Sequence, residues 1–206
     1  AGKSVVFVAK EDALLGFVAL RDEPKAESRE VVRELILRGV DVVMLTGDNE
    51  STAEAIARDL GIEKVVAGVL PEDKARRLAN FQGKGRIVAM VGDGVNDAPA
   101  LTRADVGIAI GSGTDVAIES AGIILVDSDP MDILRIIKLS KATFRKMRQN
   151  LIWATGYNVI ALPLAAGVLS PVGFDLPPAV GALIMSISTV VVAINAQLLR
   201  KVKNEM

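Results

Sequence analysis

The sequence predicts an α/β fold, a Rossmann-like parallel sheet followed by a two-helix transmembrane hairpin. Three observations carry that reading. Over residues 1–150, short apolar, β-branched runs alternate with charged stretches of helical spacing, the pattern of a parallel sheet covered by helices on both faces. Two of those runs end in glycine- and aspartate-rich turns, "TGDN" and "GDGVND", and open α/β sheets bind ligands beyond the carboxyl ends of their strands. From Leu151 onward, two long stretches carry no charge at all.

The elements follow in order. "SVVFVA" and "ALLGFVAL" read as a paired unit turning at Glu11 and Asp12. A helix is expected across "KAESREVVRELILRG", with Val31, Val32, Leu35 and Ile36 on one face. The strand "DVVML" leads into "TGDNES". The helix "TAEAIARDL" is expected to open on Ser51 and Glu54 in capping-box spacing and to close at Gly61. "KVVAGV" is a strand, and Pro71 begins a helix through "EDKARRLANF". The strand "RIVAMV" delivers "GDGVND"; "VGIAI", a small helix around "DVAIESA" and the strand "IILV" complete the sheet. Finally "MDILRIIKLSKATFRKMRQN" predicts one helix running into the first uncharged stretch.

Those stretches, expected as spans over residues 151–169 and 178–199, approach the ~20 apolar residues a helix needs to cross a bilayer. Arg135, Lys138, Lys141, Arg145, Lys146 and Arg148 precede the first, and Arg200, Lys201 and Lys203 follow the second. The joining loop "SPVGFD" has one Asp and no cation. By the positive-inside tendency, residues 1–150 and the C-terminus face the cytoplasm, and a plasma (inner) membrane is the expected location. The basic helix serves as a solvated face and as a contact for anionic membrane lipid. Two buried core helices are the ordinary alternative.

Composition narrows the chemistry. The 206 residues carry a net charge of -1 and contain neither cysteine nor histidine. Disulfides, thiol chemistry and imidazole acid-base catalysis are thereby excluded, and no nucleic-acid partner is expected. Catalysis must rest on carboxylates, Lys, hydroxyls, backbone amides and a hard cation. The chain starts at Ala1, inside an expected strand, which predicts a piece of a longer protein.

In "GDGVND", Asp93 follows the strand directly and Asp97 returns four residues later, with Asn96 beside it. Two carboxylates so close need a positive partner, and oxygen-only ligands suit magnesium. Thr46, Gly47 and Asp48 offer a hydroxyl and backbone amides as a phosphate cradle. Lys74, in the first turn of its helix, supplies a point charge for phosphate. Each alone is also an ordinary turn former or surface lysine; together they describe a magnesium-assisted phosphoryl-transfer site.

"MLTGDN", "PEDK", "GDGVNDAPAL" and "ADVGIAIGSGTDVAIESA", in this order, resemble the phosphorylation domain of P-type cation-transporting ATPases, within the haloacid dehalogenase superfamily. The resemblance covers nearly the whole chain. It implies that an aspartate in Asp-Lys-Thr-Gly-Thr takes the γ-phosphoryl of ATP and that the aspartyl-phosphate is then hydrolysed. It implies phosphate contacts at Thr46 and Gly47 with Asp48 beside them, a charge-neutralising Lys74, magnesium carboxylates at Asp93 and Asp97, and a further contact at Asn96. No aspartate in this chain is followed by Lys-Thr-Gly-Thr, so the nucleophile is expected upstream and the chain alone is expected to be inactive. The implied division is 1–19 as the end of a nucleotide-binding domain, 20–133 as the phosphorylation domain and 134–206 as juxtamembrane helix and hairpin. Most of the ATP-binding domain, the actuator domain and the other membrane helices would then be partners.

The hairpin's spacing resembles the copper-transporting heavy-metal branch with Cys-Pro-His in an earlier helix. Asn150 is followed by Tyr157, Asn158 and Pro163, and "MSIST" (Met185 to Thr189) by Asn195. The resemblance implies a transported copper ion near Tyr157, Asn158, Met185, Ser186, Ser188, Thr189 and Asn195. Independently, Met185, Ser188 and Thr189 share a helical face, and a thioether suits a soft ion. Pro163 cannot donate to the Val159 carbonyl, so a local break is expected there. The alternative is that Ser, Thr and Asn tie helices together while Met fills a gap. The leading function is the C-terminal part of an ATP-driven copper exporter. A membrane-anchored phosphatase of the same superfamily, or a non-enzymatic membrane interaction module, are the other readings.

Overall fold

Strands β1 (Ser4–Lys10) and β2 (Ala13–Leu20) pair as an antiparallel hairpin, as the paired apolar runs predict, with a register slip between Val8 and Ala9. The computed structural model describes residues 4–11, 13–20, 23–83, 85–92, 95–111, 119–173 and 177–199. Asp93, most of "DVAIESA" and the last basic residues lie outside them. The chain divides into two units, Ala1–Leu134 and Arg135–Met206. On the hairpin, Phe7, Leu15 and Phe17 are each about two-thirds exposed and their neighbours on both faces are open as well.

Helix α1 (Ser28–Leu37) buries Val31 and Val32, while Ile36, expected on the same face, is exposed. Helix α2 (Glu50–Leu60) buries Ala53 and Ala57, two small side chains that let its backbone approach the sheet. Its cap corrects the expected Ser51–Glu54 box. Asn49 is the N-cap, its Oδ1 accepting from the Thr52 amide at 3.0 Å and from the Ser51 hydroxyl at 2.7 Å. Asn is as good a cap as Ser, and from Asn49 the carboxamide reaches an amide that Ser51, already inside the first turn, cannot satisfy. Gly61 closes the helix at φ +79, as expected.

The parallel sheet is present in two pieces. Strands β3 (Val43–Leu45) and β4 (Lys64–Val66) pair with each other. Strands β5 (Ala89–Gly92), β6 (Val106–Ile110) and β7 (Ile123–Leu125) form a three-stranded sheet in that order. Helix α4 (Ala98–Arg103) packs on the second piece, and helix α3 (Pro71–Gln82) packs against α4. Leu78, Leu101, Ile108, Ala109 and Leu125 make its core; a fully buried leucine such as Leu101 contributes about 2–3 kcal/mol. Packing there is tight enough to demand glycine: a Cβ on Gly107 would meet the Leu101 carbonyl oxygen at 2.5 Å.

The expected parallel sheet is present, and among the described residues no strand joins β3 to β5. A cavity of about 520 Å³ lies there instead. Val43 and Leu45 of β3, Ala89 and Met90 of β5, and Leu78 and Phe81 of α3 line it. Asp41 holds Lys64 at 3.3 Å and Arg86 at 3.5 Å near the strands' amino ends.

Helix α5 (Met131–Ala165), all but its first four residues in the second unit, continues from the basic segment into the uncharged one, as predicted. It passes Pro163 without the expected break. It does stop short of the expected 151–169 span. Gly167, at φ +76, donates to the Leu164 carbonyl at 3.1 Å and Val168 donates to the Pro163 carbonyl at 3.1 Å, the paired hydrogen bonds of a Schellman ending. The uncharged helical part, 151–165, is therefore about 22 Å long at about 1.5 Å per residue, less than the ~30 Å hydrocarbon layer. Helix α6 (Pro178–Gln197) follows a short 3₁₀ turn at Ser170–Val172. Among the described residues, its Ala179–Gln197 portion is the helix long and apolar enough to cross a bilayer, with mean hydropathy 2.1.

Candidate functional site

The site at the end of β5 is built by two helix starts. Pro71, fixed at the first helical position of α3, sets Lys74 one turn in. The 3₁₀ turn Val95–Asp97 returns Asp97 to the start of α4. Lys74 Nζ donates to Asp97 Oδ1 at 2.7 Å, and each side chain is only 13% exposed. In so dry a place two charges hold each other far more strongly than at the surface.

Asp97 also folds over the strand end. A Cβ added at Gly92 would stand 2.7 Å from Asp97 Oδ2 and 2.8 Å from its Cβ, so only glycine lets the carboxylate lie there. Oδ2 takes no hydrogen bond from the described residues. Asn96 sits exposed on the same turn. Asp93 lies outside the described residues.

At the end of β3 the loop closes on itself. Thr46 Oγ1 donates to Asp48 Oδ2 at 2.9 Å and accepts from the Asp48 amide at 3.1 Å. The loop after β4 folds across it, Val69 donating to the Thr46 carbonyl at 3.0 Å and Gly68 to the Asp48 carbonyl at 2.8 Å. Thr46, Gly47 and Asp48 thus form a hydrogen-bonded turn, while Lys74 and Asp97 form a separate ion pair. The donor set fits magnesium in kind: a carboxylate with one oxygen that takes no hydrogen bond from the described residues, in a chain that offers oxygen and neither thiolate nor imidazole. Among the described residues no cluster of three acidic or imidazole side chains forms a metal cage of its own.

Asp105 was not singled out by the sequence. Its carboxylate accepts from the Val88 amide at 2.8 Å and from Gln82 Nε2 at 3.0 Å, pinning the start of β5 to the end of α3. The Val88 amide, and then the Gln82 carboxamide, hold its pKa below the ordinary aspartate value. A lone Asp before "VGIAI" gives no signal of this in one dimension.

The hairpin's expected donors separate into two groups. Tyr157, Ser188 and Asn195 lie on half-buried stripes of α5 and α6. Asn158, Met185, Ser186 and Thr189 are exposed, Met185 by 61%. The hydroxyls of Ser186 and Thr189 donate to carbonyls one turn back, Ala182 at 3.0 Å and Met185 at 3.1 Å. Their lone pairs stay available while their protons are satisfied. Asn195 is engaged on both sides of its carboxamide, by Lys146 at 2.8 Å and Asn150 at 2.7 Å. The basic segment gave no sign of which of its cations would turn inward to make that contact.

Comparison with known proteins places these features. A copper-exporting P-type ATPase B of Archaeoglobus fulgidus is 56% identical over 199 residues, 97% of this chain and 29% of that protein. A copper-exporting P-type ATPase B of Enterococcus hirae is 51% identical over 199 residues, 97% of this chain and 27% of that protein. The chain therefore spans under a third of the length of the curated relatives it matches. A crystal structure of a zinc-transporting PIB-type ATPase in the E2.Pi state superposes with a TM-score of 0.81 at 40% identity, covering 96% of this chain and 32% of that one. The catalytic domain of the CPx-ATPase CopB-B gives 0.53 at 34% identity, over 61% of this chain and 48% of that one. The haloacid dehalogenase-like hydrolase family matches residues 1–105, a stretch that includes Thr46, Lys74 and Asp97. By that match, over half of its length, the chain belongs to the haloacid dehalogenase-like hydrolase family.

Proposed function

We propose that this chain is the C-terminal part of an ATP-driven heavy-metal cation pump. In this reading it exports copper across a plasma (inner) membrane through an aspartyl-phosphate whose nucleophile lies on a segment outside this chain. The observation that carries the reading is the gap between β3 and β5. A strand inserted there would pair with both free edges and bring its carboxyl end between Thr46 and Asp97. An aspartate at that end would meet a hydroxyl on one side and a carboxylate–lysine pair on the other.

Lys74 then serves two charges in turn. With no phosphate present its ammonium offsets Asp97; beside a phosphoryl group it screens the added negative charge. Thr46, Gly47 and Asp48 hold phosphate oxygens, and Asn96 adds a polar contact from the facing turn. Asp93 and Asp97 would hold magnesium, which when bound supplies charge neutralisation at the phosphoryl group. ATP itself would be held mainly by a nucleotide-binding domain of which residues 1–19 are the end. Residues 20–133 are the phosphorylation domain, and 134–206 carry the juxtamembrane helix and last two membrane helices. Partners are the actuator and nucleotide domains, the other membrane helices and lipid. Residues 1–150 and the C-terminus are cytoplasmic. Tyr157, Asn158, Met185, Ser186, Ser188 and Thr189 would line the copper path, with Met185 as its soft donor.

The test is phosphorylation of the full-length protein by γ-labelled ATP, with copper added or withheld. Copper-stimulated, hydroxylamine-labile label is expected, and Asp93→Ala should abolish it without affecting membrane insertion. This chain alone should take no label. Normal phosphorylation of the Asp93 variant, or labelling of the isolated chain, would sink the assignment.

A further inference from the structure

The second unit holds a polar contact that the pump reading does not use, and the inference drawn from it rests on that reading. Lys146 and Asn150 lie one helical turn apart on α5 and face Asn195 near the end of α6. Lys146 Nζ donates to Asn195 Oδ1 at 2.8 Å, and Asn195 Nδ2 donates to Asn150 Oδ1 at 2.7 Å. All three side chains are half-buried. A carboxamide has a single oxygen with which to bind a cation, and here an ammonium already holds it. Among the described residues Lys146 has no carboxylate partner. It also stands by the last turn of α6, where the helix dipole favours a cation. A metal ion arriving at Asn195 Oδ1 would have to sit against that fixed charge.

We propose that Lys146 is a positioning residue that sets ion specificity. Its ammonium occupies the cation position on Asn195 and closes that amide to the transported metal, while the chain Lys146–Asn195–Asn150 clasps the two helices together. Asn195 is then a strut, not a metal ligand. The chemistry follows from ligand preference. Borderline divalent ions such as zinc accept oxygen and nitrogen donors readily, whereas copper(I) is captured by softer groups. A tethered ammonium on the amide oxygen at the cytoplasmic border therefore discriminates against the former and leaves the latter to the Met185 thioether deeper in the path.

The experiment uses the full-length pump in vesicles and reads zinc-stimulated against copper-stimulated ATP hydrolysis, with phosphoenzyme level measured in parallel. Lys146→Met should raise the zinc-to-copper ratio at least threefold, and Lys146→Arg, which keeps charge and donors, should hold it near the unsubstituted value. Adding Asn195→Ala to Lys146→Met should erase the gain, because the oxygen that zinc would use is gone. Should Lys146→Met fail to insert, Lys146→Gln keeps a donor without the charge and is expected to show the same rise. An unmoved ratio with metal-stimulated phosphorylation intact overturns this assignment alone, as does a gain that persists in the double variant. An unsubstituted protein whose phosphorylation no metal stimulates overturns the pump reading and this assignment together.

Discussion

Replacing Lys74 by Met keeps the length of the side chain and removes the only described partner of Asp97. At 2.7 Å and an effective dielectric constant of about 20, the gross attraction is about 6 kcal/mol. Most of it offsets the cost of drying two charges, so the pair adds little net stability. Losing one member is another matter, because the survivor stays dry and alone, at a cost of about 3–5 kcal/mol. With 13% of the carboxylate still in contact with water, about 3 kcal/mol is the reasoned value. That is a large share of the 5–15 kcal/mol that holds a typical domain. Hydrogen exchange of the chain in detergent provides the assay: protection across α3 and α4 should fall by about 150-fold, the equivalent of 3 kcal/mol. Adding Asp97→Leu should recover most of it, since two apolar groups replace the pair. A single variant that loses less than about 1 kcal/mol, or a double variant worse than the single, would refute the claim that this pair is dry and coupled.

Three further outcomes follow from other contacts. Gly92→Ala should displace Asp97 from the strand end, since the new methyl would sit 2.7 Å from its Oδ2; overpacking of this kind costs about 1–3 kcal/mol, and its effect in the exchange assay should shrink when Lys74→Met is already present. Asn49→Ala should cost about 1 kcal/mol of α2 stability and Ser51→Ala distinctly less, read by denaturant unfolding; the reverse order would reinstate the capping box. The depressed Asp105 carboxylate stabilises the fold at neutral pH, keeps doing so down to its unfolded-state pKa, and loses that contribution as pH falls through its lower folded-state value. Asp105→Asn should therefore flatten the acid limb of the stability–pH curve, and an unchanged limb would remove Asp105 as its source.

Where a local rule governed, the sequence was readable. The strands before "TGDN" and "GDGVND", the proline start of α3 and the glycine end of α2 depend on neighbours within a few residues. Local rules also ranked two good caps wrongly, because Asn49 and Ser51 differ in position and not in chemistry. The divided sheet was out of reach, since "DVVML" and "RIVAMV" look the same whether or not a strand lies between them. The early end of α5 was written in Gly167, but an uncharged run overrode a single glycine. Lys146 and Asn195 stand 49 residues apart in the chain, and no periodicity on either helix signals which cation of six would turn toward the amide.

The hairpin at the start of the chain has a consequence for handling and for folding. A two-stranded hairpin is at best marginally stable in water, and this pair presents Val5, Phe7, Leu15 and Phe17 exposed. Among the described residues neither outer edge pairs with a further strand, and an open edge is a template onto which an extended apolar segment can add. A truncated form that leaves this hairpin uncovered would therefore be drawn toward intermolecular cross-β assembly. Lysine or glutamate at Phe7 and Phe17 is the place to begin when solubility is wanted, ahead of any change to the helices.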